Sequence, residues 1–156
     1  MRRHVYFFTH IAGVPDRVWE ALASDPAGWL PPPARPCEGG WLVELDATNA
    51  LPAALACRHA VVRIGSSWGD ATHLVRALSW RAATATSLFP VLDGDLEWAP
   101  LNGDASQLSL MGTYRPPLSV VGDLGDITLG HRVVEACVRR FVLDVAFRLE
   151  QERVRA

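Results

Sequence analysis

The chain has 156 residues, of which 49% are hydrophobic and 21% charged, and its formal net charge is −2. This composition is that of one globular domain and excludes a disordered chain. The near-neutral charge balance argues against binding of nucleic acid or an anionic membrane through bulk electrostatics. All 15 basic residues are arginine, which removes Schiff-base catalysis by a lysine amine. We therefore expect a single domain over 1–156 with no nucleic-acid partner.

The three cysteines, Cys37, Cys57 and Cys137, indicate a reducing compartment. They are odd in number and too widely spaced for a disulfide framework or a zinc site. The apolar segment VYFFTHIAGV near the start is interrupted by His10 and is too short to span a bilayer. We expect a cytoplasmic protein that uses neither metal nor cofactor and does not insert into a membrane.

Alternating aromatic and β-branched residues predict a first strand over 4–12. Pro15 and Pro26 each stand at a helix start, and they predict two short helices, the second a single turn ending near Trp29. The connections GSSWGD, DGD and NGD have the composition of hairpin turns. These turns separate six further predicted strands, over 40–47, 58–65, 71–82, 86–92, 95–101 and 106–114.

The last predicted element is a long helix over 127–152, with Asp126 as its N-cap. Apolar residues at three- and four-residue spacing form one stripe along it: Val134, Cys137, Val138, Phe141, Val145 and Leu149. A second, shorter apolar row interrupts the polar face and consists of Ala136, Leu143 and Phe147. This row must pack either on the short N-terminal helices or on another subunit, so a homodimer is one expectation.

Strands without crossover helices cannot form parallel βαβ units, so the predicted class is α+β with an antiparallel sheet. The segment VPDRVWEALASDPAGWLP after the first strand, the strand LMGTYRPP and the closing helix GHRVVEACVRRFVLDVAFRLE carry a family resemblance. Over essentially the whole chain, this order resembles the helix-grip fold of the START-like and birch-pollen-allergen superfamily (SRPBCC). Bacterial members of that superfamily include polyketide cyclases and dehydratases. The resemblance implies a curved sheet of about seven strands wrapped around the C-terminal helix, two short helices after strand one, and a cavity but no catalytic motif.

Strand parity predicts which side chains face that cavity. In the closing strand, Leu108, Leu110, Gly112 and Tyr114 share the inward face. Gly112 in mid-strand indicates a bulge or a close approach by the terminal helix. The predicted ligand-binding residues are Leu74, Arg76, Leu78, Trp98, Leu110, Tyr114, Val134, Val138 and Phe141.

Arg76 is the candidate with the most distinctive chemistry, because a guanidinium on an apolar row could clamp a ligand carboxylate or enolate. Alternatively, the row faces solvent near a sheet edge, or Arg76 pairs with a structural carboxylate. If Arg76 faces the cavity, its charge is met by an acid, by backbone carbonyls or by an anionic ligand group, and we expect the ligand. Arg76→Leu is then expected to weaken binding at least tenfold, about 1.4 kcal/mol, with thermal stability unchanged or higher.

Other polar candidates are less specific. Tyr114 and Trp98 could offer a hydroxyl and an indole N–H to a ligand, or simply fill the core. His73 and His59 are candidate general bases, although a lone strand histidine is usually structural or exposed. We expect the segments 65–70 and 115–125 to form the cavity rim. Trp68 would then cover the entrance, cap the sheet or contact a second subunit.

Three functions fit such a cavity. Binding of a hydrophobic small molecule or lipid-like metabolite needs the fewest assumptions. The first alternative is a polyketide aromatase/cyclase-like enzyme that uses Arg76, His73 and Tyr114. The second alternative is a non-binding dimeric structural or regulatory protein whose cavity has collapsed.

Overall fold

The computed structural model describes residues 2–45, 59–83, 90–115 and 127–155. Within these ranges the helices are α1 (Pro15–Ala23) and α2 (Ile127–Arg155), with a single 3₁₀ turn at Pro26–Gly28. The strands are β1 (Arg3–Ala12), β2 (Arg35–Cys37), β3 (Gly40–Glu44), β4 (His59–Asp70), β5 (His73–Ala82), β6 (Val91–Asn102) and β7 (Ala105–Arg115).

All of these strands form one antiparallel sheet of seven strands in the order β1-β7-β6-β5-β4-β3-β2. The first strand therefore lies beside the last, and α2 packs against both. The docking of this long helix on the antiparallel sheet gives the helix-grip α+β fold that the sequence predicts.

Two short helical elements follow β1, as predicted. Pro15 begins α1, which buries Val18 and Leu22. The side chain of Asp25 accepts a hydrogen bond from the Ala27 amide at 3.0 Å and caps the 3₁₀ turn. Trp29 follows directly and is fully buried.

The core lies between the concave face of the sheet and α2. The predicted stripe of α2 is buried throughout: Val134, Cys137, Val138, Phe141, Val145 and Leu149. Phe141 meets Trp80 edge-on with ring centroids 5.5 Å apart. Burial of each such side chain stabilises the docked helix by roughly 1.5–3 kcal/mol.

Two predicted turns are wrong. The DGD segment lies inside β6, which runs unbroken from Val91 to Asn102 where two strands are expected. The segment GSSWGD belongs to β4, which continues to Asp70 after a bulge between Ile64 and Ser67. The carboxylate of Asp70 accepts hydrogen bonds from the backbone and side chain of Thr72, which moves the turn to 71–72.

The third predicted turn, NGD, is correct. The side chain of Asn102 accepts a hydrogen bond from the Asp104 amide at 3.0 Å between β6 and β7. The sequence does not predict the short strand β2, because β2 begins within the proline-rich segment PPPARP and proline disfavours strands. Asp126, Cys57 and nearly all of the predicted 115–125 rim lie outside the described residues.

The second apolar row of α2 is not covered by the short N-terminal helix. Leu143 is 39% exposed and Phe147 is 60% exposed, so the first of its two expected packing partners is wrong. No helix among the described residues combines the length and apolarity needed to cross a bilayer.

Candidate functional site

The concave face and α2 bring the nine predicted ligand-binding residues to facing surfaces. All of them are at most 8% exposed. The sheet supplies Leu74, Arg76 and Leu78 from β5, Trp98 from β6, and Leu110 and Tyr114 from β7, and the helix supplies Val134, Val138 and Phe141. The parity argument therefore identifies the inward side of three neighbouring strands.

The middle of this face lacks side chains on two adjacent strands. Gly94 of β6 and Gly112 of β7 are register partners, and both lie on the inward parity. A Cβ on Gly94 would lie 2.6 Å from the Met111 carbonyl oxygen, and one on Gly112 would lie 2.8 Å from the Asp93 carbonyl oxygen. The pairing continues through Gly112, so the predicted bulge is wrong and the close neighbour is β6 rather than the helix.

Several buried polar atoms around the concave face have no hydrogen-bond partner among the described residues. They are the indole Nε1 atoms of Trp29, Trp80 and Trp98, together with Ser106 Oγ and Arg148 Nε. A buried donor without an acceptor costs about 1–3 kcal/mol. Native proteins rarely contain such a group without a reason, and a bound ligand or water is one such reason.

Arg76 does face inward, and backbone carbonyls meet its charge. Nη1 donates to the carbonyl oxygens of Leu22 at 3.0 Å and Ser24 at 2.8 Å, at the end of α1. Nη2 and Nε donate to the carbonyl oxygen of Gly65, at 3.1 and 3.4 Å. Gly65 lies in the bulge of β4, which leaves its carbonyl free of the regular ladder.

The environment of Arg76 is therefore both polar and aromatic. Its guanidinium carbon lies 5.5 Å from the ring centre of Trp29, at cation–π distance. Burial lowers the pKa of Arg76, and the charge of Asp25 acts in the opposite direction. An arginine remains protonated under such opposing effects, so the concave face carries a fixed positive charge.

At the other end of the concave face, Tyr114 and His131 form a pair that the sequence analysis missed. The Tyr114 hydroxyl lies 2.6 Å from His131 Nδ1, and His131 Nε2 lies 3.0 Å from Glu135 Oε1. Tyr114 is buried, whereas the side chains of His131 and Glu135 are 39% and 56% exposed. The i,i+4 spacing of His131 and Glu135 was a readable signal, but nothing in the sequence placed Tyr114 beside them.

Tyr114 is held as a neutral phenol. Burial raises the pKa of Tyr114, and the negative charge of Glu135 acts in the same direction. A hydrogen bond from Arg3 and its positive charge oppose this rise in the pKa. Arg3 is the register partner of Tyr114 on β1, so both residues lie on the inward parity.

The remaining predicted candidates lie elsewhere. His73 is on the convex side, where Nε2 lies 3.1 Å from Glu97 Oε2. Trp68 is 59% exposed and meets His73 edge-on at 6.3 Å, so it lies on the convex face and not over an entrance. His59 is exposed at the start of β4. Among the described residues, no group of three histidine, cysteine or carboxylate side chains could hold a metal ion.

Structural comparison places this architecture among known helix-grip proteins. A conserved protein from Geobacillus kaustophilus matches with a TM-score of 0.59 and 13% identity, over 98% of this chain and 96% of the other. Norcoclaurine synthase from Thalictrum flavum matches with a TM-score of 0.59 and 7% identity, over 100% and 88% of the two chains. The di-domain ARO/CYC StfQ of the steffimycin pathway matches with a TM-score of 0.54 and 14% identity. The match covers 100% of this chain and 53% of StfQ.

Comparison of sequences finds no matching family model and no match to a curated protein. At these identities the structural likeness concerns the fold alone. The chain therefore has the helix-grip fold and shares it with these proteins.

Proposed function

We propose that the protein binds a hydrophobic small molecule with carbonyl or other acceptor oxygens between the concave face of the sheet and α2. The observation that carries this proposal is the pair of buried indole N–H groups of Trp80 and Trp98, which have no acceptor among the described residues. Both indoles belong to strand rows whose other members are mainly leucine. An apolar surface with a few unmatched donors is what a small-molecule site provides.

The energetics support a ligand that is apolar but carries oxygen atoms. Each unmatched indole N–H costs about 1–3 kcal/mol in the free protein, and an acceptor on the ligand removes that cost. Trp80 pairs with Leu92, and Trp98 lies six residues further along β6. At about 3.4 Å per residue, the two backbone positions are roughly 20 Å apart, so only an elongated ligand would meet both indoles.

Arg76 contributes charge to this proposed site. Four of its five N–H groups donate to carbonyl oxygens, which leaves one Nη2 N–H outside these bonds. That remaining N–H would donate a hydrogen bond to an acidic or enolic oxygen of the ligand. The nearby Gly94–Gly112 pair removes two side chains from the floor between sheet and helix, which favours occupancy there.

A second candidate function, an enzyme of the aromatase/cyclase kind, is favoured by the Tyr114–His131 pair. A tyrosine hydroxyl 2.6 Å from an imidazole can move a proton, which a simple carrier does not require. The likeness to norcoclaurine synthase and StfQ concerns the fold and leaves the reaction open.

The proposed function is tested with two naphthalenes that differ in one acceptor. We expect 2-acetylnaphthalene to bind more tightly than 2-ethylnaphthalene, because only the ketone can accept from an indole N–H. Trp98→Phe should weaken binding of the ketone about five- to tenfold, or about 1–1.4 kcal/mol, and leave the hydrocarbon unchanged.

Trp68→Phe on the convex face is the matched control and should alter neither affinity. Absence of binding by both compounds would refute the proposal. Equal effects of Trp98→Phe on the two compounds would show that the Trp98 indole N–H does not bind the ketone oxygen. Native mass spectrometry of protein purified from its own host would identify the physiological ligand.

A further inference from the structure

The polar cluster around Tyr114 combines residues from three elements. Tyr114 comes from β7, His131 and Glu135 from α2, and Arg3 from β1. Tyr114 and His131 also stack, with ring planes 29° apart and centroids 5.9 Å apart. The cluster therefore holds one buried hydroxyl between a carboxylate-backed imidazole and a guanidinium.

The hydrogen-bond directions in this cluster follow from the chemistry of its members. An ionised Glu135 can only accept, so His131 Nε2 carries a proton and donates to Oε1. In the neutral imidazole, Nδ1 is then an acceptor, and the Tyr114 hydroxyl donates to it. The phenol oxygen consequently has lone pairs left for other donors.

We propose that Tyr114 takes a proton from an acidic hydroxyl of the ligand, a phenol or an enol, and passes its own proton to His131. The ligand is then held as its anion. This inference rests on the proposed function, because it requires a small molecule on the concave face.

The transfer balances without any further reactant. The O–H bond of the ligand breaks as a new O–H bond forms on Tyr114, and the former Tyr114 O–H bond breaks as Nδ1–H forms on His131. One proton has moved from the ligand to the imidazole, and Tyr114 ends as it began. The phenol that donated to Nδ1 now donates to the ligand anion, while the imidazolium donates to the phenol oxygen.

The charges around Tyr114 stabilise both the ligand anion and the His131 imidazolium that the transfer forms. Glu135 stabilises the imidazolium at 3.0 Å, as a carboxylate does for a catalytic or metal-ligating histidine. Arg3 is the register partner of Tyr114 on β1, so its positive charge lies near the phenol and would favour a ligand anion there. Among the described residues these are the charged groups that act on Tyr114. His131 is part-exposed, so its extra proton can leave to water.

The experiment compares 4-nitrophenol with 4-nitroanisole, which has a methyl group in place of the acidic proton. Phenolate is read directly from its visible absorption. One pH unit below its solution pKa, free nitrophenol is about one-tenth ionised, and we expect the bound form to be mostly ionised. His131→Gln and Tyr114→Phe should each return the bound phenolate fraction to about one-tenth.

His73→Gln is the matched control, because His73, like His131, has a carboxylate close to its Nε2, at 3.1 Å, but lies on the convex face of the sheet. It should leave the bound phenolate fraction unchanged. Circular dichroism of each variant confirms folding, and Glu135→Gln, an exposed substitution, repeats the test with little risk to the fold.

Two results would overturn the inference. Nitrophenol bound with its solution phenolate fraction would show that Tyr114 takes no proton, although binding of nitroanisole would still support the proposed function. A raised phenolate fraction that survives in His131→Gln and Tyr114→Phe would assign the ionisation to another group. If neither compound binds, the inference and the proposed function both fail.

Discussion

Arg76 on β5 donates through Nη1 to the carbonyl oxygen of Ser24, 2.8 Å away, although 52 residues separate them in the chain. The same nitrogen also donates to Leu22, so one guanidinium caps the last turn of α1 from within the sheet. The bulge carbonyl of Gly65 completes this arrangement. Arg76 thereby joins α1, β4 and β5.

Arg76→Leu should therefore lower the stability of the protein, whereas the sequence alone predicts a thermal stability that is unchanged or higher. Removal of the guanidinium leaves three carbonyl oxygens without their donor, and we expect a loss of about 2–4 kcal/mol in the free energy of unfolding. Chemical denaturation measures this loss. Arg81→Leu, an exposed arginine on the same strand, should change stability by less than about 0.5 kcal/mol. A leucine variant as stable as the wild type would show that the carbonyl contacts contribute nothing.

Gly94→Ala and Gly112→Ala should each destabilise the sheet. A methyl group at either position would lie 2.6–2.8 Å from a backbone oxygen of the neighbouring strand, which cannot rotate away. We expect a loss of about 1–3 kcal/mol, measured by thermal unfolding. The control is Gly103→Ala, where nothing lies within 4 Å of the added Cβ, and which should be neutral or slightly stabilising. Equal melting temperatures for all three variants would contradict the close approach of β6 and β7.

Tyr114 should make the stability of the wild type fall at alkaline pH in a way that Tyr114→Phe does not show. Burial raises the pKa of Tyr114 above its ordinary value of 10.0. Its neutral phenol is favoured in the folded state, so this contribution is fully present below pH 10 and is lost as the pH rises through the higher folded pKa. Unfolding free energies between pH 9 and 12 should thus fall less steeply in the variant, a comparison that covers roughly the range in which tyrosine titrates.

Tyr6→Phe provides the comparison for that experiment, because Tyr6 is 55% exposed on the convex side. It should keep the alkaline slope of the wild type. At neutral pH, Tyr114→Phe should cost about 1 kcal/mol for the lost hydrogen bond to His131. Parallel pH profiles for wild type and Tyr114→Phe would count against a perturbed Tyr114.

Phe141 and Phe147 allow a matched test of the two faces of α2. Phe141 is fully buried, and Phe141→Ala should cost about 3–5 kcal/mol. Phe147 is 60% exposed, and Phe147→Ala should change monomer stability by less than about 0.5 kcal/mol. If the exposed row is a subunit contact, Phe147→Ala should also lower the sedimentation coefficient at high protein concentration. A large stability loss in a monomeric Phe147→Ala would show that this face is covered within the chain.

The sequence predicts the framework of this fold well because buried residues recur at a regular spacing along each strand and along α2. Alternation assigns the inward rows of β5, β6 and β7, and three- and four-residue spacing assigns the buried stripe of α2. Turn chemistry is a weaker guide. Asp93, Gly94 and Asp95 have the composition of a turn, but Gly94 faces Gly112 in a continuous ladder, and pairing across the sheet overrides the local preference.

The site is harder to predict because its contacts are not periodic. The partners of Arg76 are backbone carbonyl oxygens, which every residue has and no sequence distinguishes. Tyr114 and His131 are 17 residues apart, across a segment with no repeating pattern, so their approach depends on how α2 docks. The cluster at Tyr114 is therefore visible only once the sheet and the helix are assembled.

The hydrogen bond from the Ala12 amide to the Glu150 carboxylate joins residues 138 positions apart, and it has a consequence for how the chain folds. β1 pairs with β7 and packs against α2, so both of its partners come from the far end of the described chain. Bringing such distant segments together costs chain entropy before the contacts between them form. Folding is therefore slower than in proteins rich in local contacts. Until those contacts form, the aromatic residues of β1 lack both the strand and the helix that they contact in the folded protein, which leaves an apolar segment exposed during synthesis.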